Sequence, residues 1–480
     1  MATARDAMEE GLLLKERDDR TTWRVLVEEM KKLGFVAVPM AAVTLSQYLL
    51  QVISVMMVGH LGELSLSSTS IAISLSSVTG FSVILGMSSA LETLCGQAYG
   101  AQHYQKIGTL TYTAIISLLI VCIPLAIFWR FTGNLLLLIG QSPSISLEAG
   151  KFITWLIPAL FAYAILQPLV RYFQMQSKLL PMLISSAVAL CIHVPLCWSL
   201  VYKTGLGNVG AAVSMGVAMW LNAIVLLFYM MYSPSCAKTR SPFSLEVFHG
   251  MKQFFSFAIP SAVMICLNTI ATLYAIPYGF AAGVSTRVSN ELGAGNPRGA
   301  RVAVKAIMLL AVIETTIVSS IVFANRHIFG YIFTNEKEVV DYVTKMTPFL
   351  CLNIILDSLQ GTLSGVARGV GWQHLGAYAN LAAFYLVGIP VAALLGFCTP
   401  LRGEGLWIGI VIGAIIQCSS VEEVVIAVEE VVIAISCQWF LPENLCISEF
   451  LGTDFRLQDD IRLQDDIRFD FTGFTAISLV

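Results

Sequence analysis

The sequence predicts an all-α polytopic membrane protein. It is built as two pseudo-symmetric six-helix lobes, the second missing most of a helix, with about 11 spans in all. Three observations carry this prediction. The 480-residue chain is 56% hydrophobic and only 12% charged, against about 25% charged in a typical soluble domain. Apolar runs of spanning length recur from end to end. The second half also repeats the first. Pro158 and Pro348 open matching apolar stretches 190 residues apart, and Pro195 pairs with Pro390, Gly210 with Gly405 and Gly100 with Gly295 at a spacing of 195. A repeat this long in an apolar chain means a duplicated bundle. That is a common way to build a transporter, with the substrate cavity between the halves.

The elements follow in order. Residues 1–32 mix Arg5, Lys15, Arg17, Asp18, Asp19 and Arg20 and hold no apolar core before a small-residue cleavage site. They read as a cytosolic tail with a short amphipathic helix over 23–32, not as a signal peptide. The first lobe, 33–232, contains spans at 33–58, 70–97, 107–130, 152–174, 179–203 and 206–232, each near the ~20 residues that cross ~30 Å of hydrocarbon. A polar linker, 233–252, contains Pro234, Lys238, Arg240 and Pro242. The second lobe, 253–420, has segments at 254–284, 300–324, 343–366, 374–398 and 405–420. The C-terminal tail, 421–480, is of low complexity: residues 421–427 recur unchanged at 428–434, and 456–461 at 462–467. Glu422, Glu423, Glu429 and Glu430 would each cost ~2.5–3.5 kcal/mol at mid-membrane, so the last helix is expected to end near Ser420. The eleven cysteines lie mostly inside apolar runs without ligand spacing and read as small packing residues.

Lys and Arg sort by loop. With the N-terminus inside, 18 fall on the cytosolic side and 7 on the other, as the positive-inside rule requires. That sorting needs segment 254–284 to enter and leave on the cytosolic side, and here the repeat breaks. Pro39 matches Pro260 at a spacing of 221, but by Gly100 and Gly295 the spacing is 195, so 26 residues are missing between Pro260 and Gly295. The remaining segment would reach ~46 Å as one helix, too long for an upright span and too short for two full spans with a turn. Two arrangements stay open. One is a strongly tilted or kinked crossing that bends at Pro260 and Pro277, which would place Arg287, Arg298, Arg301 and Lys305 outside. The other is a shallow hairpin that keeps them inside.

Four runs carry a family resemblance. They are Gln47-Tyr48-Leu49-Leu50, the stretch from Leu91-Glu92-Thr93 through Gly100-Ala101, the stretch from Ser285-Thr286-Arg287 through Asn296-Pro297, and Gly365-Val366-Ala367-Arg368-Gly369 with Gly371-Trp372-Gln373-His374. Over residues 31–413 the chain resembles the plant-type multidrug and toxic compound extrusion (MATE) proteins, also called DETOXIFICATION proteins. The tail after Gln417 does not. The resemblance implies twelve helices in two lobes related by a pseudo-two-fold axis along the membrane normal. It also implies proton- or sodium-coupled efflux by alternating access. In the plant type, two second-lobe carboxylates form the proton site. Asp357, in Ile355-Leu356-Asp357-Ser358, matches the one in the tenth helix. The other opens a Glu-Trp-Trp motif in the seventh helix. Here Leu267 is followed directly by Asn268 and that motif is absent. Ser54 stands where prokaryotic relatives carry an acid, as is usual in the plant type.

The candidate residues have competing readings. An ionised Asp357 in mid-span is costly, so it is expected to be protonated or paired: a proton carrier on one reading, and on the other a residue that caps a broken helix or binds Asn353 or Gln360. Glu314, also mid-span, is a second proton-coupling candidate or a buried hydrogen bond that holds its helix. Glu92 and Arg287 lie near corresponding cytosolic helix ends, with Glu291 a turn beyond Arg287. They are expected to be structural, in charge networks at the cytosolic gate or as solvated helix ends, rather than to act directly in transport. Gln47, Tyr48, Asn222 and Gln360 are candidates to line the cavity. His193 is a satisfied core histidine or a proton relay. Gly293-Ala294-Gly295 lacks the Lys-Ser/Thr of a phosphate loop.

The functional expectation is a proton-coupled antiporter that exports amphipathic organic solutes, xenobiotics or secondary metabolites, with no cofactor beyond the proton gradient. Its partners are the organic substrate, protons and the lipid bilayer. No nucleic acid is expected, and the chain is expected to act as a monomer. Its place is the vacuolar or plasma membrane, multi-pass, with the N-terminus cytosolic. Two alternatives stand beside it: a non-transporting or defective isoform that lacks the helix-seven acid, and a lipid-linked flippase. No nucleophile–base pair or metal cluster supports an enzyme.

Overall fold

The computed structural model describes residues 2–242, 244–266, 275–329, 337–399, 401 and 404–420. Among them there is no strand. The main helices of the described residues number twelve. The first half contains α1 (Ala2–Gly59), α2 (Glu63–Gly100), α3 (Tyr104–Arg130), α4 (Pro143–Met175), α5 (Leu179–Tyr202) and α6 (Asn208–Tyr232). The second contains α7 (Met251–Cys266), α8 (Ala275–Gly293), α9 (Pro297–Ala324), α10 (Lys337–Val370), α11 (Gln373–Cys398) and α12 (Glu404–Ser420). Nine of these are long and apolar enough to cross a membrane; α7 and α12 are shorter apolar helices. The two-half layout of the repeat is present, and the second half is the lighter one.

The N-terminal region differs from expectation. In place of a short amphipathic helix over 23–32, one helix runs without a break from Ala2 to Gly59 and carries the tail directly into the first span. The polar residues of the tail do not stop the helix, because no Gly or Pro lies between Trp23 and Leu33, and the isolated Gly34 just inside the apolar run is tolerated.

Segment 254–284 also differs: it is two helices. α7 starts beside the linker, where Thr113 of α3 donates to the Val247 carbonyl at 3.0 Å. It ends where the Met264 carbonyl accepts from Asn380 of α11 at 3.1 Å. α8 runs back and finishes against the C-terminal turn of α2, where Asn290 and Gly293 abut Gly100 and Gln97. The first residue of α7 and the last of α8 therefore lie on the same side of the bundle, hereafter the linker side. The hairpin is the arrangement found, and it keeps Arg287, Arg298 and Arg301 on the linker side. The described parts of its arms, 16 and 19 residues, reach about 24 and 28 Å at 1.5 Å per residue. The junction Leu267–Asn268 and the duplicated tail fall outside the described residues.

Small residues let the halves approach. A Cβ on Gly86 of α2 would lie 2.5 Å from the Ala262 Cα of α7, and one on Gly279 of α8 would lie 2.6 Å from the Ala37 carbonyl of α1. These two crossings, α2 on α7 and α1 on α8, are counterparts under the repeat, and only glycine permits backbones so close. Inside the first half, a π-helical turn at Ser77–Phe81 bends α2 around the fully buried Trp129, whose ring sits over Gly80 and donates to Thr79 Oγ1 at 3.0 Å. The core of this half is built on α4, whose last nine residues, Gln167 to Met175, are all buried. The second core, around Val284, Val288, Ala303, Ile307 and Val366, is smaller and borrows Leu33 from α1.

Candidate functional site

The two acids predicted to couple protons lie on neighbouring helices of the second half. Asp357 sits in the middle of α10, half-buried, and Asn353 one turn earlier donates to its Oδ2 at 2.7 Å. Glu314 sits in the middle of α9. The next residue after Asp357, the buried Ser358, donates to Glu314 Oε2 at 2.9 Å. The two carboxylates are thus tied into one polar strip by α10, with each acid held by a neutral donor. No Lys or Arg pairs with either acid among the described residues. A carboxylate in an apolar span without a cation is costly in its charged form. The strip is therefore suited to gaining and losing a proton. Asn353, one of the two partners named for a local hydrogen bond, is in place.

Glu92, Arg287 and Glu291 lie toward the linker-side end in two separate groups, Glu92 where α2, α4 and α10 converge and Arg287 with Glu291 beside α1. Glu92 of α2 is fully buried between two guanidiniums. Arg171 Nη1 of α4 lies 3.0 Å from Oε1, and Arg368 Nε of α10 donates to Oε2 at 2.9 Å. Both arginines are also fully buried. Arg171 further donates to the Tyr278 hydroxyl of α8 and, at 2.5 Å, to Gln174 Oε1. The triad carries two positive charges against one negative and spans both halves. Arg287, the repeat counterpart of Glu92, sits nearer the surface. It pairs with Glu29 of α1 and Glu291 of its own helix, each at 2.6 Å, and Glu291 accepts from Asn296, the N-cap of α9, at 2.8 Å.

Around the triad the halves exchange helix caps. Gln97 of α2 donates at 3.4 Å to the carbonyl of Val370, the last residue of α10. Asn290 of α8 donates at 3.1 Å to the carbonyl of Met175, the last residue of α4. Each of these C-termini has carbonyls without an intrahelical partner, and each is satisfied by an amide from the opposite half. Gln373 to Thr93 at 2.8 Å, Thr93 to the Arg368 carbonyl, and Gln174 to the Ala282 carbonyl and Thr286, both at 3.1 Å, complete the seam. The linker side is closed by these bonds.

Glycine makes the seam possible. A Cβ on Gly100 would overlap the Asn290 carbonyl, and one on Gly293 would overlap the Gln97 carbonyl. Gly100→Ala is therefore expected to push α8 away from α2 and destabilise the closed seam by about 1–3 kcal/mol, read as a lower melting temperature of the purified protein. A melting temperature equal to that of the parent would contradict this packing.

The residues expected to line a cavity are dispersed. Gln47 accepts from Gln167 at 3.2 Å inside the first half. Tyr48, one residue on, is 38% exposed. Asn222 is buried between α6 and α5 and donates to Ser186 at 3.3 Å. Gln360 is buried on α10 and donates to Ser364 at 2.8 Å. The structure does not bring these four together. His193 is fully buried, with Nε2 3.2 Å from the Ser54 hydroxyl. Sequence reasoning missed Arg171, Arg368, Tyr278 and Gln174 as members of the Glu92 cluster. One signal was available: Val170-Arg171 and Ala367-Arg368 fall in the last turns of α4 and α10, 197 residues apart, close to the repeat spacing of 195.

Comparison with known proteins agrees with this geometry. The MatE family model matches residues 39–199 and 260–394. The two matched segments begin at the paired prolines Pro39 and Pro260, and the second is 26 residues shorter than the first. Protein DETOXIFICATION 14 of Arabidopsis thaliana is 53% identical over 442 residues, 86% of this chain and 91% of that protein. Protein DETOXIFICATION 12 of the same plant is 52% identical over 451 residues, 87% and 94% of the respective chains. Among solved structures, the crystal structure of the eukaryotic MATE transporter AtDTX14 matches with a TM-score of 0.81 at 53% identity and covers 84% of this chain and 96% of that one. The outward-facing conformation of a multidrug resistance MATE family transporter of the MOP superfamily shares the fold at 14% identity, with a TM-score of 0.74 over 85% of this chain and 97% of that one.

Proposed function

The chain belongs to the MatE family of multi-pass membrane transporters, and from that premise we propose a proton-coupled antiporter that exports amphipathic organic solutes by alternating access. The observation that carries the proposal is the Asp357–Glu314 strip, two carboxylates on adjacent membrane helices with neutral hydrogen-bond donors and no described cation. With a proton as the neutralising charge, protonation state and helix packing become linked: a neutral Asp357 suits a dry α9–α10 contact and a charged one favours a wetted opening. The linker side is cytosolic on the charge rule, so the closed seam holds the carrier shut toward the cytosol. Protons entering from the opposite side load Asp357 and drive substrate release there. Their loss toward the cytosol, with the seam parted, resets the carrier. The site of action is the vacuolar or plasma membrane, and the chain acts as a monomer.

The test is transport by the purified chain in vesicles under an imposed pH gradient. Accumulation of a fluorescent organic cation that collapses when a protonophore is added is the expected result. Accumulation indifferent to the gradient removes proton coupling.

Two observations favour a second reading: the family match is 26 residues shorter in this half, and the sequence lacks the acid that the resemblance implies for the seventh helix. A chain so shortened would be a non-transporting isoform. Inserting the corresponding segment of DETOXIFICATION 14 after Cys266 separates the readings. Uptake that appears only in the restored chain supports the defect, and equal uptake by the two chains refutes it.

A further inference from the structure

On the linker side, α3, α6 and the linker line an open groove of about 650 Å³. Its walls are apolar: Leu227 and Met231 near the end of α6, and Ala237 and Pro242 of the linker, with Tyr112 of α3 between them. At its mouth lies Arg240, whose guanidinium is fixed by a hydrogen bond to the Met231 carbonyl. The linker is bound to α3 at the same level by the Thr109–Ser241 hydrogen bond of 3.2 Å, so the groove is a defined shape.

Two features specify an occupant. The first is charge. Arg240 lines the groove, Lys238 lies two residues before it in the same linker, and Lys178 binds the Ser235 carbonyl of that linker; residues 101–112, 174–178 and 231–245 contain no Asp or Glu. The second is depth. Phe228, Tyr229 and Tyr232 project from the last turn of α6 into the surroundings, Tyr232 being 76% exposed and stacked on Phe228 at 5.8 Å. Exposed aromatic rings at a helix end mark the boundary between hydrocarbon and headgroups. The groove therefore opens at headgroup level, basic at the rim and apolar beneath.

We infer that this groove binds an anionic glycerophospholipid, with the phosphate on Arg240 and Lys238 and the upper part of one acyl chain along Leu227 and Met231. A planar guanidinium gives charge-assisted hydrogen bonds to phosphate oxygens, and basic pockets between membrane helices on this side select anionic headgroups. Because the linker joins the two halves, lipid in the groove also braces α6 against the linker.

Native mass spectrometry of the full chain, exchanged into micelles with dioleoyl phosphatidic acid or dioleoyl phosphatidylcholine, tests this. The expected result is retained phosphatidic acid in preference to phosphatidylcholine, with retention falling about fivefold in R240Q, in keeping with the contribution of one basic residue near an anionic surface. Leu227→Trp, which fills the tail path and leaves the charges in place, should also lose the lipid, and it decides the matter if R240Q does not fold. Equal retention of the two lipids, unchanged retention in both variants, or full displacement by inorganic phosphate overturns the inference.

Discussion

Glu92→Gln is expected to destabilise the protein by about 3–5 kcal/mol, the range for breaking a buried ion pair by removing one partner. Glu92 is the one carboxylate between Arg171 and Arg368, all three buried. Glutamine keeps the shape and one oxygen but removes the charge, and leaves two guanidiniums facing each other in a region with little water. The Nη1 and Nη2 atoms of Arg368 find no other described partner, so the arginine cannot compensate locally. The loss should appear in the melting temperature of the detergent-solubilised protein, and the linker-side seam should part more readily. A companion variant isolates the cause. Replacing Glu92, Arg171 and Arg368 together by Met removes all three charges at similar volume, and such replacements are often neutral or stabilising. If E92Q melts within a degree of the parent, the triad does not hold the halves together.

Asp357→Asn is the second large effect. The substitution is nearly isosteric, and Asn353 can still donate to the side-chain oxygen at the position of Oδ2, now 2.7 Å away. Packing and fold should therefore survive, and the melting temperature should change little. What disappears is the group that binds and releases a proton. Proton-driven accumulation of substrate is expected to fall to the level of empty vesicles. Glu314→Gln should weaken coupling less: its carboxylate is already held by Ser358, and it faces Asp357 only through the α10 backbone between residues 357 and 358.

Much of this architecture was legible in the sequence because a membrane helix is read from composition and length alone. Asp357 and Glu314 stood out for the same reason: an acid in an apolar run has few innocent explanations. Arg171 and Arg368 did not stand out. Each lies near the end of its helix and counts as an ordinary cytosolic charge, yet each is buried against a carboxylate from another helix, Arg368 reaching Glu92 across 276 residues of chain. Nothing local to either arginine announces that contact; the convergence of α2, α4 and α10 creates it. The hairpin of α7 and α8 was left open for a related reason. Thirty-one apolar residues are compatible with one bent helix or two short ones, and the choice is made by packing partners elsewhere: α7 rests on α2 and α11, α8 on α1 and α10. The four cavity candidates were chosen as polar residues in apolar helices. That signal does not distinguish a side chain that faces a cavity from one that, like Asn222 with Ser186, is bonded to a neighbour inside a lobe.

The most direct test of proton coupling at Asp357 is substrate uptake into vesicles that contain either the parent chain or D357N, under the same imposed pH gradient and at matched protein content. The account predicts protonophore-sensitive accumulation by the parent and none above empty vesicles by D357N, with both proteins folded by their melting curves. Equal gradient-driven uptake by the two would contradict it.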